Sequence, residues 1–138
     1  MQLTRILIVD DNAVFRQCLR EFLASEPDIE VVGEAADGHK AILKAREFQP
    51  DVVLMDVRMR GLNGLDATRQ LKDEMPEVKV IIMTLLDVVQ YREAARASGA
   101  SGYVPKHKIH TELLPTVSAL LAALDETDDN NDARGERR

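Results

Sequence analysis

The chain has 138 residues, 45% hydrophobic and 30% charged, a balance that suits one globular domain with a core of useful size. Acidic residues outnumber basic ones by 24 to 18 for a net charge of −6, so the general phosphate attraction of a nucleic-acid binder is missing and no direct nucleic-acid binding is expected. No apolar run reaches the roughly 18 residues of a membrane span, the start MQLTRILIVDD carries no signal-peptide pattern, and the single Cys18 supports neither an intrachain disulfide nor a Cys-based zinc site; a cytoplasmic protein without membrane contact is the expectation.

In chain order, ILIV at 6–9 reads as a short buried strand that stops at Asp10-Asp11. Residues 12–25 then place Phe15, Cys18, Leu19, Phe22 and Leu23 on one helical face, Cys18 included as a small core residue, before Pro27. VVGEAA at 31–36 is a weaker strand. Asp37 can cap a helix over 38–48 with Ala41, Ala45 and Phe48 inward, ended at Gln49-Pro50. VVLM at 52–55 is a strand that stops at Asp56, and VRMRGLNG at 57–64 is a loop with two glycines. A helix over 65–75 precedes Pro76. VKVIIM at 78–83 is a strand stopping at Thr84, and residues 88–98 form a helix with Gly99 just past its end. GYV at 102–104 is a last strand before Pro105-Lys106. The final helix runs to about Leu124 with Leu113, Val117, Leu120, Leu121 and Leu124 on one face; Pro115 leaves its start open, since proline belongs in a first turn.

Five short apolar strands alternating with five helices imply an α/β fold, a doubly wound five-stranded parallel sheet covered on both faces. One domain over residues 1–124 is expected. DETDDNNDARGERR at 125–138, nearly devoid of apolar residues, reads as an acidic disordered tail.

Four strands end in polar residues: Asp10 and Asp11, Asp56, Thr84 and Lys106. In such sheets ligands bind at the carboxyl ends of the strands, where the strand order reverses. In the flavodoxin-like (βα)5 order 2-1-3-4-5, strands one and three are neighbours there, so the three aspartates would converge. Carboxylates so placed repel unless a cation sits among them, and an all-oxygen donor set favours Mg2+. Thr84 and Lys106 are suited to holding the oxygens of a phosphoryl group. Each residue alone has a plainer reading: Asp10, Asp11 or Thr84 as helix caps, Asp56 as a turn residue, Lys106 as a solvated lysine. His107 and His110, three apart, lack the partners of a metal site, and His39 sits solvated at a helix start.

ILIVDDN at 6–12, DVVLMDVRMRGLNG at 51–64, VIIMT at 80–84 and GASGYVPK at 99–106 together resemble the CheY-like receiver domain of two-component response regulators. The resemblance spans about residues 3–124. It implies that Asp56 is the phosphoacceptor for a sensor histidine kinase or a phosphotransfer protein. It implies that Asp10, Asp11, Asp56 and the backbone carbonyl of Arg58 hold Mg2+. Thr84 would bond a phosphoryl oxygen in the active state and Lys106 would pair with the phosphoryl group or Asp56. Tyr103 stands at the family's switch position, expected to turn inward as Thr84 moves. The chain would then be a signalling phosphoacceptor and not an enzyme in the ordinary sense, though it assists its own Mg2+-dependent phosphorylation and dephosphorylation.

Two departures from the family pattern stand out. Arg60 replaces a proline between Met59 and Gly61, which should leave that loop more mobile. Leu85 replaces a small residue after Thr84 and is expected to narrow water's access to the acyl phosphate, with Arg58 and Leu86 at the two positions that tune its lifetime. HKIHTELLPTVSALL at 107–121 resembles receivers that precede a LuxR-type helix-turn-helix, yet only the acidic tail follows. A stand-alone regulator or phosphorelay intermediate acting on a downstream protein target is the main reading. A receiver cut from a longer DNA-binding regulator, or an unphosphorylated pseudo-receiver, is the alternative. A signalling face, and a possible homodimer contact, is expected over 87–98, 102–104 and 110–124, including Val88, Val89, Tyr91, Tyr103 and His110, with at least one of the valines in the core.

Overall fold

A computed structural model describes residues 3–122. Its elements are β1 (Thr4–Val9), α1 (Ala13–Ala24), β2 (Ile29–Ala35), α2 (Gly38–Phe48), β3 (Val52–Asp56), α3 (Gly64–Glu74), β4 (Lys79–Thr84), α4 (Val89–Ala97) and β5 (Gly102–Pro105). A 3-10 turn at Lys106–Lys108 leads into a helix over 109–122, here α5. All strands are parallel, in the order β2-β1-β3-β4-β5, as the flavodoxin-like reading requires.

Strand side chains alternate between two faces, and this period of two builds two core layers. Leu7, Val9, Val53, Met55, Val80 and Ile82 face α2, α3 and α4, meeting Ala41, Ile42, Ala45, Ala67, Leu71 and Ala95. The intervening residues Ile6, Ile8, Val52, Leu54, Ile81 and Met83 face α1 and α5, meeting Leu19, Leu23, Leu113 and Val117. Both faces of the sheet are covered, which is why β1, β3 and β4 carry unbroken apolar runs.

Two expectations need correction, and the start of the last helix, left open by Pro115, lies at residue 109. Cys18 is exposed, not a core residue. The buried stripe of α1 consists of Leu19 and Leu23 alone, with Phe15 and Phe22 half-buried beside it, so Cys18 falls on the flank. Neither Val88 nor Val89 is core: Val88 is half-buried ahead of α4, Val89 is exposed, and Ala95 is the helix's buried residue. Pro115 lies in the second turn of α5 and not the first; its ring is exposed, and the carbonyl four residues back belongs to exposed Thr111, where water can replace the missing hydrogen bond. Leu124 and the tail expected at 125–138 lie outside the described residues.

Candidate functional site

β3 and β4 end in Asp56 and Thr84, and Asp10 and Lys106 directly follow β1 and β5. Helix capping does not account for Asp10, Asp11 or Thr84. Asn12, not Asp10 or Asp11, caps α1 by accepting from the Phe15 N–H at 3.1 Å. Asn63 caps α3 by accepting from Leu65 and Asp66. Val88 occupies the N-cap position of α4 and makes no side-chain cap bond, so Thr84 is not that helix's cap either. None of the three aspartates serves as a helix cap.

Asp10 is fully buried and Asp56 nearly so, whereas Asp11 is exposed. One carboxylate oxygen from each of the three lies within 4.8 Å of the others. Asp10 Oδ1 accepts from the Asn12 N–H at 2.8 Å. Lys106 Nζ donates to Asp10 Oδ2 at 2.6 Å and lies 3.3 Å from Asp56 Oδ1, with its side chain 8% exposed. Lys106 is therefore not a solvated lysine; a buried ammonium here offsets part of the carboxylate repulsion. The cleft holds ≈ 250 Å³ and is lined by Asp10, Asp11, Asn12, Asp56, Arg58, Thr84, Leu85, Leu86 and Lys106. An all-oxygen, anionic donor set open to solvent on the Asp11 side fits a hard divalent cation that keeps some of its water.

The Asp56 carboxyl is pushed up from 3.8 to about 6. Burial is the main cause and the neighbouring Asp10 charge the next; Lys106 pulls the other way, by charge and hydrogen bond, without winning.

Thr84 is buried, and its hydroxyl accepts from the Leu86 N–H at 3.1 Å and sits 3.2 Å from the Leu86 carbonyl. The Tyr103 hydroxyl donates to that same carbonyl at 3.3 Å. Thr84 and Tyr103 thus share one backbone group. Arg92 lies over the Tyr103 ring at 4.4 Å and pairs with Asp87 at 2.9 Å. Arg58 and Arg60 are exposed, as is Leu85 at 80%. His39, His107 and His110 are exposed; His110 packs edge-on against Phe22.

Three structural supports escape a sequence reading. Arg16 donates to the Asp10 carbonyl at 2.6 Å, and Glu34 at the end of β2 joins Arg16 and Arg20 at 3.0 and 2.7 Å. Burial alone would raise the Glu34 carboxyl, but hydrogen bonds from Arg20 and Arg16 hold it below its ordinary value. The signal, two arginines four apart on α1, becomes meaningful only once β2 is known to flank β1. Gly64 is the second: a Cβ there would overlap the Asp56 carbonyl oxygen. The third is Phe15, whose ring faces the Lys106 ammonium at 4.3 Å.

Comparison with known proteins bears on the family and the fold. The response regulator receiver domain profile matches residues 6–118. Transcriptional regulatory protein DegU of Brevibacillus brevis is 37% identical over 116 residues, 84% of this chain and 49% of DegU. The chain thus spans about half the length of that relative. A LuxR-family two-component response regulator from an Aurantimonas species superposes with a TM-score of 0.84 at 34% identity, over 88% of this chain and 87% of that one. The response regulator domain of Thermotoga maritima CheB gives 0.79 at 32% identity, over 86% and 97%. Fold, strand order and sequence agree: the chain belongs to the response regulator receiver domain family.

Proposed function

We propose that Asp56 accepts a phosphoryl group from the phosphohistidine of a sensor histidine kinase or phosphotransfer protein, and that the acyl phosphate switches the loop after β4 to control a protein partner. The observation that carries this reading is the buried Asp56 carboxylate flanked by Asp10, Asp11 and the Lys106 ammonium at the sheet's switch point. An Asp56 oxygen attacks phosphorus in line; the O–P bond forms as the P–N bond breaks, and imidazole leaves neutral with its other nitrogen protonated. Little covalent help is needed for such a transfer, so positioning and charge dominate. Asp10, Asp11, Asp56 and the Arg58 carbonyl would hold Mg2+. When bound, Mg2+ supplies positive charge to the transferring oxygens. Lys106 supplies the second cation, already oriented by Asp10.

Thr84 is placed to exchange its Leu86 contacts for a phosphoryl oxygen. Tyr103, sharing the Leu86 carbonyl, would feel that exchange and turn inward with it. The face expected over 87–98, 102–104 and 110–124, described as far as residue 122, is the proposed output surface, for a downstream protein or a second copy of the chain. It displays Val89 and, half-buried, Val88, Tyr91 and Tyr103. A cytoplasmic setting fits this reading, and no described helix is long and apolar enough to cross a membrane. A second reading, that the chain is the receiver part of a longer DNA-binding regulator, is favoured by its spanning half of DegU.

Incubation with acetyl phosphate and Mg2+, read by intact mass, tests the proposal. A single gain of about 80 Da, one HPO3 unit, is expected, and it should vanish with Asp56→Asn or a chelator. A folded protein that gains nothing from acetyl phosphate or any sensor kinase would mark a pseudo-receiver.

A further inference from the structure

The Lys106 ammonium is held from three sides, and only two of them are charged. Asp10 Oδ2 accepts at 2.6 Å, Asp56 Oδ1 lies at 3.3 Å, and the Phe15 ring centroid lies at 4.3 Å. The ammonium has a flexible four-carbon stem and three donors, so two acceptors alone leave it free to swing. An aromatic face attracts a cation through its quadrupole without bearing a charge or accepting a proton. Phe15 therefore adds attraction without adding to the carboxylate repulsion. Its own place is fixed: its N–H donates to the Asn12 cap, and its side chain packs beside the α1–α5 core layer.

We propose that Phe15 is a positioning residue for phosphoryl transfer: its ring holds the Lys106 ammonium within reach of Asp56 and prevents the shorter Asp10 contact from drawing it away. The proposal rests on the phosphoacceptor reading of Asp56, and its test keeps the two separable. Phe15→Leu preserves apolar packing and removes the π face; Phe15→Tyr preserves both.

The first readout is NMR of the Lys106 side chain. Its ε-methylene protons should be shifted upfield by the ring in the wild type and in Phe15→Tyr, and lose that shift in Phe15→Leu. The second is phosphoryl uptake from acetyl phosphate across a Mg2+ titration. Phe15→Leu should lower the rate at saturating Mg2+ about two- to thirtyfold, the range of a cation–π contact. The half-saturating Mg2+ concentration should stay unchanged and Phe15→Tyr should restore the rate. In a Lys106→Ala background, Phe15→Leu should cost nothing further. Equal slowing by Leu and Tyr, or an undiminished effect without Lys106, would overturn the proposal in favour of packing alone. A wild-type chain that takes up no phosphoryl group would overturn the phosphoacceptor reading instead, while the Lys106 resonances would still decide whether Phe15 places the ammonium.

Discussion

Asp56 concentrates the electrostatic tension of the site. Its carboxyl sits at about 6 where 3.8 is ordinary, because burial and then Asp10 disfavour the charge. The folded value lies above the unfolded one. Ionisation therefore destabilises the metal-free fold, with a cost that is absent below 3.8, grows up to about 6 and persists above it. Asp56→Asn removes that cost. In thermal melts without metal the variant should be more stable than the wild type at pH 7 and equal to it near pH 3.5. Mg2+, which favours the ionised form, should raise the wild-type melting temperature more at pH 7.5 than at pH 5. Phosphoryl uptake at low Mg2+ should fall as pH drops through about 6, and saturating Mg2+ should move that fall to lower pH. A pH-independent response to the cation would contradict the carboxylate's assigned place.

At the scale of elements, the junction where α3 begins packs tightly against the end of β3. Gly64 packs against the Asp56 carbonyl, and its N–H donates to Val57 at 3.0 Å. Gly64→Ala must push β3 and α3 apart. About 2 kcal/mol of stability should be lost in urea titrations, an overpacking cost, with slower phosphoryl uptake. Asn63→Ala, which removes the α3 cap and the bond to the Asp66 carboxylate, should cost about 1 kcal/mol and leave uptake near normal. The β4–α4 loop is the softer counterpart. Leu85 is 80% exposed and lines the same cleft as Asp56, so with the proposed acyl phosphate at Asp56 it would stand beside water's approach. Leu85→Ala should shorten the phosphoform's lifetime, followed by loss of the mass gain with time; an unchanged lifetime would remove the gating role.

For the whole molecule, the apolar strands and their polar ends were legible because a two-sided sheet leaves no polar position until its edge. Leu54, fully buried on central β3, shows the consequence: Leu54→Ala should cost about 2–5 kcal/mol. Leu43→Ala, at 60% exposure, should change stability by less than about 0.5 kcal/mol. Helix faces were less legible. The spacing that put Cys18 with Leu19 and Phe22 gives a stripe wider than one sheet face can cover, and only packing decides which edge is left to solvent. The convergence of Asp10, Asp11 and Asp56 followed from strand order. The brace from Arg16 and Arg20 to Glu34 did not, because it joins residues 18 and 14 apart whose meeting depends on β2 lying outside β1. Gly64 and Phe15 were hidden for a similar reason: one acts by lacking a side chain, the other by a contact spanning most of the chain.

The measurement that bears most directly on the central claim is chemical mapping of the acquired phosphoryl group. Borohydride reduces an aspartyl phosphate to homoserine, which peptide mass spectrometry can place within the sequence. After treatment with acetyl phosphate and Mg2+, homoserine is expected at position 56 and nowhere else. Homoserine at Asp10 or Asp11, or a phosphoryl group that borohydride leaves untouched, would contradict the assignment of Asp56 as the phosphoacceptor.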